Sequence, residues 1–337
     1  MTTTSNRHET DAAQRTTVRI PTASGDEIEA SLYRPEGDGP HPAVVMAHGF
    51  AAVKAGGLAP FAEAFRRQGI AAIPFDYRHW GGSSGEPRDV TSVPAQRADY
   101  HTVIDWAVAH PDIDETRVFI WGTSFSGLHA VELAATDHRL RGAIAQNPLV
   151  DGLAGTRRSR PRQLLHLLAV GVVDRLGSLL GRPPRYVPAG VAPGEFGAVA
   201  NEQAFAGLEI IRPKDGTVWQ NRVAARSLLG IAAHRPVRKA ADIQCPILLV
   251  VGENDTIAPA DPALKVAERA PKSELYRSRG GHYDVYEGGA DYDNVVRVEV
   301  EFLRRHAGLP AGTSDRAETR LARVAAATGA GAAAAAA

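Results

Sequence analysis

Apolar and polar residues alternate along the first half of the chain in patterns that predict strands and helices in turn. In residues 16–35, apolar and polar residues alternate on both sides of a Ser-Gly-Asp turn, which predicts a β-hairpin. A short apolar run at 41–50 predicts a buried strand, and apolar side chains at helical spacing predict a helix over 56–69. The same patterns predict further strands at 70–77, 117–122 and 140–148 and helices at 94–110 and 125–136.

The alternation stops after residue 150 and resumes only near residue 246. Proline, glycine and arginine are dense in between. The later part adds strands at 246–255 and 273–278 and helices at 262–271 and 293–308. Strands that alternate with helices predict right-handed crossovers and a mostly parallel, twisted sheet with helices on both faces. We therefore predict one α/β core, residues 16–150 and 238–308, interrupted by an inserted segment at 151–237.

Separate predictions concern the inserted segment and the two termini. Apolar residues of the segment recur at near-helical spacing: Leu164, Leu165, Leu168, Val172, Leu176 and Leu179. This stripe is expected to pack onto the core, the alternative being a lipid-binding surface. The polar residues 1–15 and the Ala/Gly-rich residues 309–337 have little to bury, so both are predicted to be flexible.

Composition narrows the classes of partner. The chain has 337 residues, of which 44% are hydrophobic and 23% are charged, as in ordinary globular proteins. A net charge of zero argues against a nucleic-acid-binding protein with a basic face. No uncharged apolar run approaches the roughly 18 residues of a membrane span, and the polar N-terminus lacks a signal-peptide pattern. A cytoplasmic location without nucleic-acid or membrane partners is expected.

The stretch IWGTSFSG (120–127) places Ser124 between a predicted strand and a predicted helix. A serine on this sharp turn stands above the sheet, and crowding there requires small residues two positions before and after it. Gly122 and Ser126 occupy those positions, so the pattern is G-x-S-x-S-G and departs from the strict G-x-S-x-G. The first N–H groups of the helix favour a developing negative charge. Ser124 is therefore a candidate nucleophile, and a serine that only caps the helix is the alternative.

A nucleophilic serine needs a base, and the base needs an orienting carboxylate. Asp255 comes just past the buried strand in VVGENDTIAP, and His282 lies in the glycine-flanked loop RGGHYDVY after the next strand. The gap between them has room for one helix and one strand. We predict Asp255 as the acid and His282 as the base, with Asp284 and Glu253 as rival carboxylates.

Acyl chemistry also needs two N–H donors for an oxyanion. Phe125 N–H, directly after Ser124, is the first candidate. The tripeptide HGF (48–50) follows the first predicted parallel strand and offers Phe50 N–H as the second. His48 in this tripeptide is interpreted as an architectural hydrogen-bonding residue rather than a catalyst.

Other residues have two interpretations each. Trp80 and Trp219 either line a substrate pocket or belong to the core. Four arginines of the inserted segment either meet an anionic group of a substrate or carrier or form a solvated face; they are Arg157, Arg158, Arg160 and Arg162. No metal-binding or phosphate-binding motif is found, so no cofactor and no metal are expected.

Five motifs together resemble a known superfamily. They are HGF, FDYRHWGGSSGEPR (75–88), GTSFSG, GENDTIAP and GGHYDVY. The set is similar to the α/β hydrolases, and more narrowly to the bacterial dienelactone-hydrolase-like and X-Pro-peptidase-like branch, often described as acetylxylan esterases. Fungal polyketide acyltransferases belong to the same branch. The resemblance extends from Val18 to His306 and is weak over 151–237.

The resemblance implies an α/β-hydrolase fold with a cap at 151–237. It implies Ser124 as nucleophile, Asp255 as acid and His282 as base, with the Phe50 and Phe125 amides as the oxyanion hole. The chain order Ser, Asp, His is that of this superfamily. His79 and Leu128 stand where the branch commonly has glycine, which affects the expected pocket and leaves the triad unchanged.

The sequence thus predicts a serine hydrolase that cleaves a carboxylic ester or thioester of small-molecule size through an acyl-enzyme. Three alternatives remain at this point. They are an acyltransferase or thioesterase of a biosynthetic, polyketide-like pathway, a peptidase or amidase, and a binding protein that keeps the fold without turnover. The expected partner is a small-molecule acyl substrate, and a second copy of the chain in a homodimer is a further option.

Overall fold

The computed structural model describes residues 15–310. Its strands are β1 (Arg15–Pro21), β2 (Glu27–Tyr33), β3 (His41–Ala47), β4 (Ala71–Phe75), β5 (Ile113–Thr123), β6 (Gly142–Gln146), β7 (Tyr186–Val187), β8 (Gly190–Val191), β9 (Val199–Ala200), β10 (Val223–Ala224), β11 (Ile247–Gly252) and β12 (Ser273–Ser278). Its α-helices are α1 (Ala59–Arg67), α2 (Val93–Ala109), α3 (Phe125–Thr136), α4 (Gly152–Thr156), α5 (Pro161–Leu179), α6 (Glu202–Ile211), α7 (Ala260–Arg269) and α8 (Tyr292–His306). Two 3₁₀ segments cover Ala225–Ala233 and Pro236–Asp242.

The central sheet has eight strands in the order β1-β2-β4-β3-β5-β6-β11-β12. The predicted hairpin is the antiparallel pair β1–β2, and β2 pairs antiparallel with β4. All other neighbours in the sheet are parallel. Every residue of β3 and β11 is buried, as expected for strands covered on both faces. The predicted mostly parallel α/β sheet is confirmed.

Helices cover both faces of the sheet with separate apolar cores. On one face, Val103 of α2, Val131 of α3 and Val266 of α7 are fully or almost fully buried. On the other face, Phe61 of α1 and Phe302 of α8 are buried. Each of these positions lies on the apolar side of its helix, which the spacing of apolar residues indicates from the sequence. The two layers of helices hold the sheet between them. The carboxyl ends of its parallel strands therefore lie at one well-defined edge.

The segment between β6 and β11 leaves the sheet uninterrupted, because these two strands are neighbours. It contains α4, α5, α6, the short pairs β7–β10 and β8–β9, and both 3₁₀ segments. We call residues 151–237 the inserted segment. None of the helices within residues 15–310 is long and apolar enough to cross a lipid bilayer.

The expectation that the leucine stripe of the inserted segment packs onto the core is wrong. Five of its residues are 42–69% exposed; they are Leu165, Leu168, Val172, Leu176 and Leu179. The sixth, Leu164, lines a cavity described below. Helix α5 instead turns Gly171 and Asp174 inward, and Asp174 accepts hydrogen bonds from the Arg226 guanidinium at 2.8 and 2.9 Å. This buried ion pair fixes which face of α5 is covered.

The predicted flexible termini fall largely outside the described residues. Residues 1–14 and 311–337 are not described. Arg15, which lies within the predicted N-terminal tail, is instead part of β1. Leu309 packs against the core formed with α1 and α8, which extends the ordered chain beyond residue 308.

Candidate active site

The turn from β5 into α3 holds Ser124 in a strained position. Ser124 has φ 55° and ψ −117°, a backbone conformation that non-glycine residues rarely adopt. A Cβ on Gly122 would lie 2.3 Å from the Ser126 carbonyl oxygen, and one on Gly127 would lie 2.4 Å from the Pro148 Cβ. Larger residues would therefore collide at this turn, which is the crowding that the sequence pattern indicates.

Ser126, the departure from the strict motif, has a role in the buried layer below the turn. Its Oγ lies 2.6 Å from the Tyr77 hydroxyl and 2.9 Å from the Tyr100 hydroxyl. Tyr100 also donates to the Trp121 carbonyl at 2.8 Å. All three side chains are fully buried. A glycine at position 126 would leave these hydroxyls short of a partner, so the serine matches the two tyrosines.

We expect Ser126→Ala to lower the free energy of unfolding by about 1–3 kcal/mol, since the Tyr77 hydroxyl would lose a buried partner. Urea denaturation of the variant measures this loss. Tyr77→Phe in the Ser126→Ala background should recover part of it, because the hydroxyl that loses its Ser126 partner is then absent. Equal stability of Ser126→Ala and the wild type would contradict this assignment.

The three predicted polar residues converge at the carboxyl edge of the sheet. Ser124 follows β5, Asp255 follows β11 and His282 follows β12. The Ser124 Oγ lies 2.9 Å from His282 Nε2, and His282 Nδ1 lies 2.6 Å from Asp255 Oδ2. His282 and Asp255 are both buried. The residues form one continuous hydrogen-bonded chain from hydroxyl to imidazole to carboxylate.

The other carboxylates near His282 are engaged elsewhere. Asp284 accepts a hydrogen bond from the Gly281 amide at 2.6 Å, within its own loop. Glu253 lies 3.6 Å from Arg277 at the surface. Asp255 Oδ1 accepts from the amides of Ile257 and Ala258 at 2.7 and 2.8 Å. Asp255 therefore has one oxygen fixed by backbone donors and the other directed at the imidazole.

Two residues that the sequence analysis did not identify hold the loops of Asp255 and His282 together. Asn147, at φ 40° after β6, donates to the His282 carbonyl at 3.0 Å and accepts from Gly252 N at 2.8 Å. Gln203 of α6 accepts from the amides of His282 and Thr256, both at 3.1 Å. The Asn in QNP after β6 is a visible signal of a turn, whereas nothing in the sequence relates Gln203 to these loops.

The backbone around Phe50 and Phe125 suits an oxyanion. A Cβ on Gly49 would lie 3.0 Å from the Ser124 Cβ, so the HGF loop passes directly against the serine. Within residues 15–310 the amides of Phe50 and Phe125 donate to no other residue. Lys54 fixes this loop, because its Nζ donates a hydrogen bond to Asp76 Oδ2 at 2.8 Å and its backbone amide donates one to Asp76 Oδ1 at 2.6 Å.

Two buried histidines near the site have structural contacts. His48 Nδ1 lies 3.0 Å from the Gly49 carbonyl, and burial lowers the pKa of His48. His129 lies 3.0 Å from Gln96 Oε1, and burial lowers its pKa to about 3. Both rings are therefore held neutral, and the His48 contact is the architectural kind that the sequence predicts.

Two cavities of unequal size meet at Ser124. The larger, about 360 Å³, lies under α4 and α5. The smaller, about 50 Å³, lies under α6 and is lined by Trp219, whose indole N–H donates to the Ala51 carbonyl at 2.7 Å. Trp80 lines neither cavity. It is only 1% exposed and donates to the Val90 carbonyl, so the pocket interpretation of Trp80 is wrong and the core interpretation is confirmed.

The walls of the larger cavity contain cationic side chains but no acidic ones. Arg158 and Arg160 line it, and Arg158 donates to the Thr256 carbonyl at 3.1 Å. All four arginines of residues 157–162 are exposed. Across residues 15–310, no group of three or more His, Cys, Asp or Glu side chains is arranged to hold a metal ion.

Several known proteins are similar to this chain in sequence and in fold. A family model described as serine aminopeptidase, S33 matches residues 38–283. The quorum-quenching protein AidA of Acinetobacter baumannii is 37% identical over 279 residues, which is 83% of this chain and 91% of that protein. A thiohydrolase of Eupenicillium brefeldianum is 29% identical over 299 residues, 87% of this chain and 94% of its own. The crystal structure of the α/β hydrolase GrgF from Penicillium sp. sh18 has a TM-score of 0.75 at 26% identity, covering 88% of this chain and 99% of that one. The chain belongs to the serine aminopeptidase S33 family of α/β hydrolases.

Proposed function

We propose that this protein hydrolyses a carboxylic ester or thioester through an acyl-enzyme formed on Ser124. The observation that carries the proposal is the unbroken chain from the Ser124 hydroxyl through His282 to Asp255, with contacts of 2.9 and 2.6 Å. A serine hydroxyl becomes an effective nucleophile when a base accepts its proton and a carboxylate orients that base. The thiohydrolase relative supports the thioester part of the proposal.

In this mechanism the Ser124 Oγ attacks the carbonyl carbon while its proton moves to His282 Nε2. The amides of Phe50 and Phe125 stabilise the negative oxygen of the tetrahedral intermediate. His282 then gives the proton to the departing oxygen or sulfur, which leaves the acyl group on Ser124. Water, activated by the same imidazole, releases the acid and restores the serine. Asp255 holds the ring through Nδ1 and stabilises the imidazolium.

The family is described as a serine aminopeptidase, yet the site favours an acyl group over a peptide N-terminus. The larger cavity has no acidic residue in its walls to bind a protonated amine, and these walls include leucines such as Leu164 and Leu167. Transfer of the acyl group to an alcohol or amine uses the same acyl-enzyme, so it is an alternative fate of the same intermediate. The cytoplasmic location stays a prediction.

A panel of aliphatic esters and thioesters, varied in acyl chain and leaving group, tests the proposal through the acid released. We expect turnover by the wild type and a loss of about 10³-fold or more in kcat for Ser124→Ala. Ser178→Ala is the matched control, since Ser178 lies at the exposed end of α5 and donates to the Arg175 carbonyl. Turnover that survives Ser124→Ala would contradict the proposal, and an ester formed with an added alcohol would reveal transfer.

A further inference from the structure

The two cavities at Ser124 differ in which catalytic groups they contact. Phe50, Ser124 and Ile257 line both of them. His282 lines only the smaller cavity, and Phe125 lines only the larger one. The serine therefore stands at a junction whose two branches are chemically distinct, and the position of the imidazole distinguishes them.

The chemistry of ester cleavage assigns an occupant to each branch. In the tetrahedral intermediate the carbonyl carbon carries the Ser124 oxygen, the oxyanion, the acyl chain and the leaving group. The leaving-group atom must receive its proton from His282 Nε2, so this atom lies on the imidazole side. The smaller cavity is on that side, and the acyl chain consequently extends into the larger one.

Apart from Ser124 and His282, the side chains that line the smaller cavity are mostly apolar. At about 50 Å³ it has room for roughly three to five non-hydrogen atoms, since one water-sized group needs about 10–15 Å³ by the same measure. A Cβ on Gly207 would lie 2.0 Å from the Tyr283 ring, so α6 already presses against this wall. The Trp219 indole N–H is used by the Ala51 carbonyl. This branch suits a short alkyl group.

The larger cavity suits a long apolar chain. Its volume of about 360 Å³ is typical of a small-molecule site. The apolar part of its walls comes from both the turn after β6 and the inserted segment, through Leu149, Leu164, Leu167, Leu228 and Ile231. Each buried methylene stabilises a bound chain by about 0.8 kcal/mol in transfer measurements, or roughly a fourfold gain in affinity.

We infer that the substrate is an ester or thioester with a long apolar acyl chain and a leaving group of only a few non-hydrogen atoms. The inference rests on the proposed function. The Ser124 Oγ–carbonyl bond forms and the bond to the small alkoxide or thiolate breaks. The leaving group takes the proton from His282 Nε2 and departs as a short alcohol or thiol, and water then releases the long-chain acid.

Two isomeric esters test the inference on the wild-type protein. Methyl nonanoate and octyl acetate have the same atomic composition, but their long chains lie on opposite sides of the ester. We expect kcat/KM for methyl nonanoate to exceed that for octyl acetate by about tenfold or more. Equal turnover or a reversed preference would overturn the inference while leaving ester hydrolysis intact. Turnover of neither isomer would contradict the proposed function and the inference together.

A matched pair of leucine variants tests the assignment of each cavity. Leu208 lines only the smaller cavity and Leu164 only the larger, and both are partly exposed, so truncation is tolerable for the fold. Nonanoate esters with progressively longer alcohols should become better substrates for Leu208→Ala, by about tenfold for the hexyl ester relative to wild type. Leu164→Ala should lower kcat/KM for all of these nonanoate esters by a similar factor, which leaves the ratios within the leaving-group series as in the wild type, and should weaken the dependence on acyl length. The opposite assignment of effects would overturn the inference.

Discussion

Replacing Asp255 by asparagine is expected to lower kcat by about 10⁴-fold without unfolding the protein. Asp255 Oδ1 accepts hydrogen bonds from the amides of Ile257 and Ala258, so the asparagine must keep its oxygen at that position. Its NH₂ group then faces His282 Nδ1, which must accept rather than donate. The imidazole proton is driven to Nε2, where it prevents the ring from accepting the Ser124 proton. Steady-state hydrolysis of a good ester from the panel measures the loss.

Asp284→Asn is the matched control for this prediction. Asp284 is two residues from His282 and is one of the two rival carboxylates, but it accepts a hydrogen bond from the Gly281 amide within its own loop. Asp284→Asn should change kcat by less than about tenfold, because the Asp284 carboxylate does not contact the imidazole of His282. A large loss in Asp284→Asn together with near-normal Asp255→Asn activity would mean that the acid is misassigned.

Glu299→Gln is expected to stabilise the protein at alkaline pH, by about 4 kcal/mol at pH 8. Glu299 is fully buried on α8 beneath the sheet, and its Oε2 accepts from the Trp121 indole N–H at 3.0 Å. Oε1 has no hydrogen-bond partner among residues 15–310. Burial raises the pKa of Glu299 from 4.5 to about 8, so the folded protein keeps this carboxyl protonated at neutral pH.

The sign of the effect follows from proton binding. Between pH 4.5 and about pH 8 the folded state holds a proton at Glu299 that the unfolded state has lost. Stability therefore falls as pH rises through this window, and glutamine, which does not titrate, removes the loss. Urea denaturation near pH 5 and near pH 8 should show a gain that grows with pH. Glu301→Gln, at an exposed ion pair of the same helix, should change stability by less than about 1 kcal/mol at either pH. A pH-independent gain for Glu299→Gln would contradict the assignment.

The sequence patterns predict the parts of the fold that depend on local periodicity. Helix α3 runs over Phe125–Thr136, as its apolar spacing and the preceding G-x-S turn indicate. Ser124, Asp255 and His282 could be located because each follows a strand of a parallel sheet, and the carboxyl ends of such strands share one edge. The strands and helices predicted from the sequence therefore indicate where the candidate active site lies, as well as which residues form the core.

Other features depend on which face of an element finds a partner, and periodicity does not determine that. The leucine stripe of α5 has near-helical spacing, yet the Asp174–Arg226 ion pair turns the opposite face inward. Trp80 and Trp219 are the same residue type among similar polar neighbours in the sequence. Only the tertiary structure shows that Trp80 belongs to the core and that Trp219 lines a cavity. Glu299 occupies a buried position of an otherwise amphipathic helix, which no charge pattern reveals.

A fluorophosphonate probe followed by peptide mass spectrometry shows directly whether Ser124 is the nucleophile, because the probe reacts preferentially with a serine whose hydroxyl is activated. We expect one adduct, on Ser124, that forms on the folded wild type, is lost on prior unfolding and is nearly absent in Asp255→Asn. Folded protein that stays unlabelled, or an adduct on a different serine, would contradict this expectation.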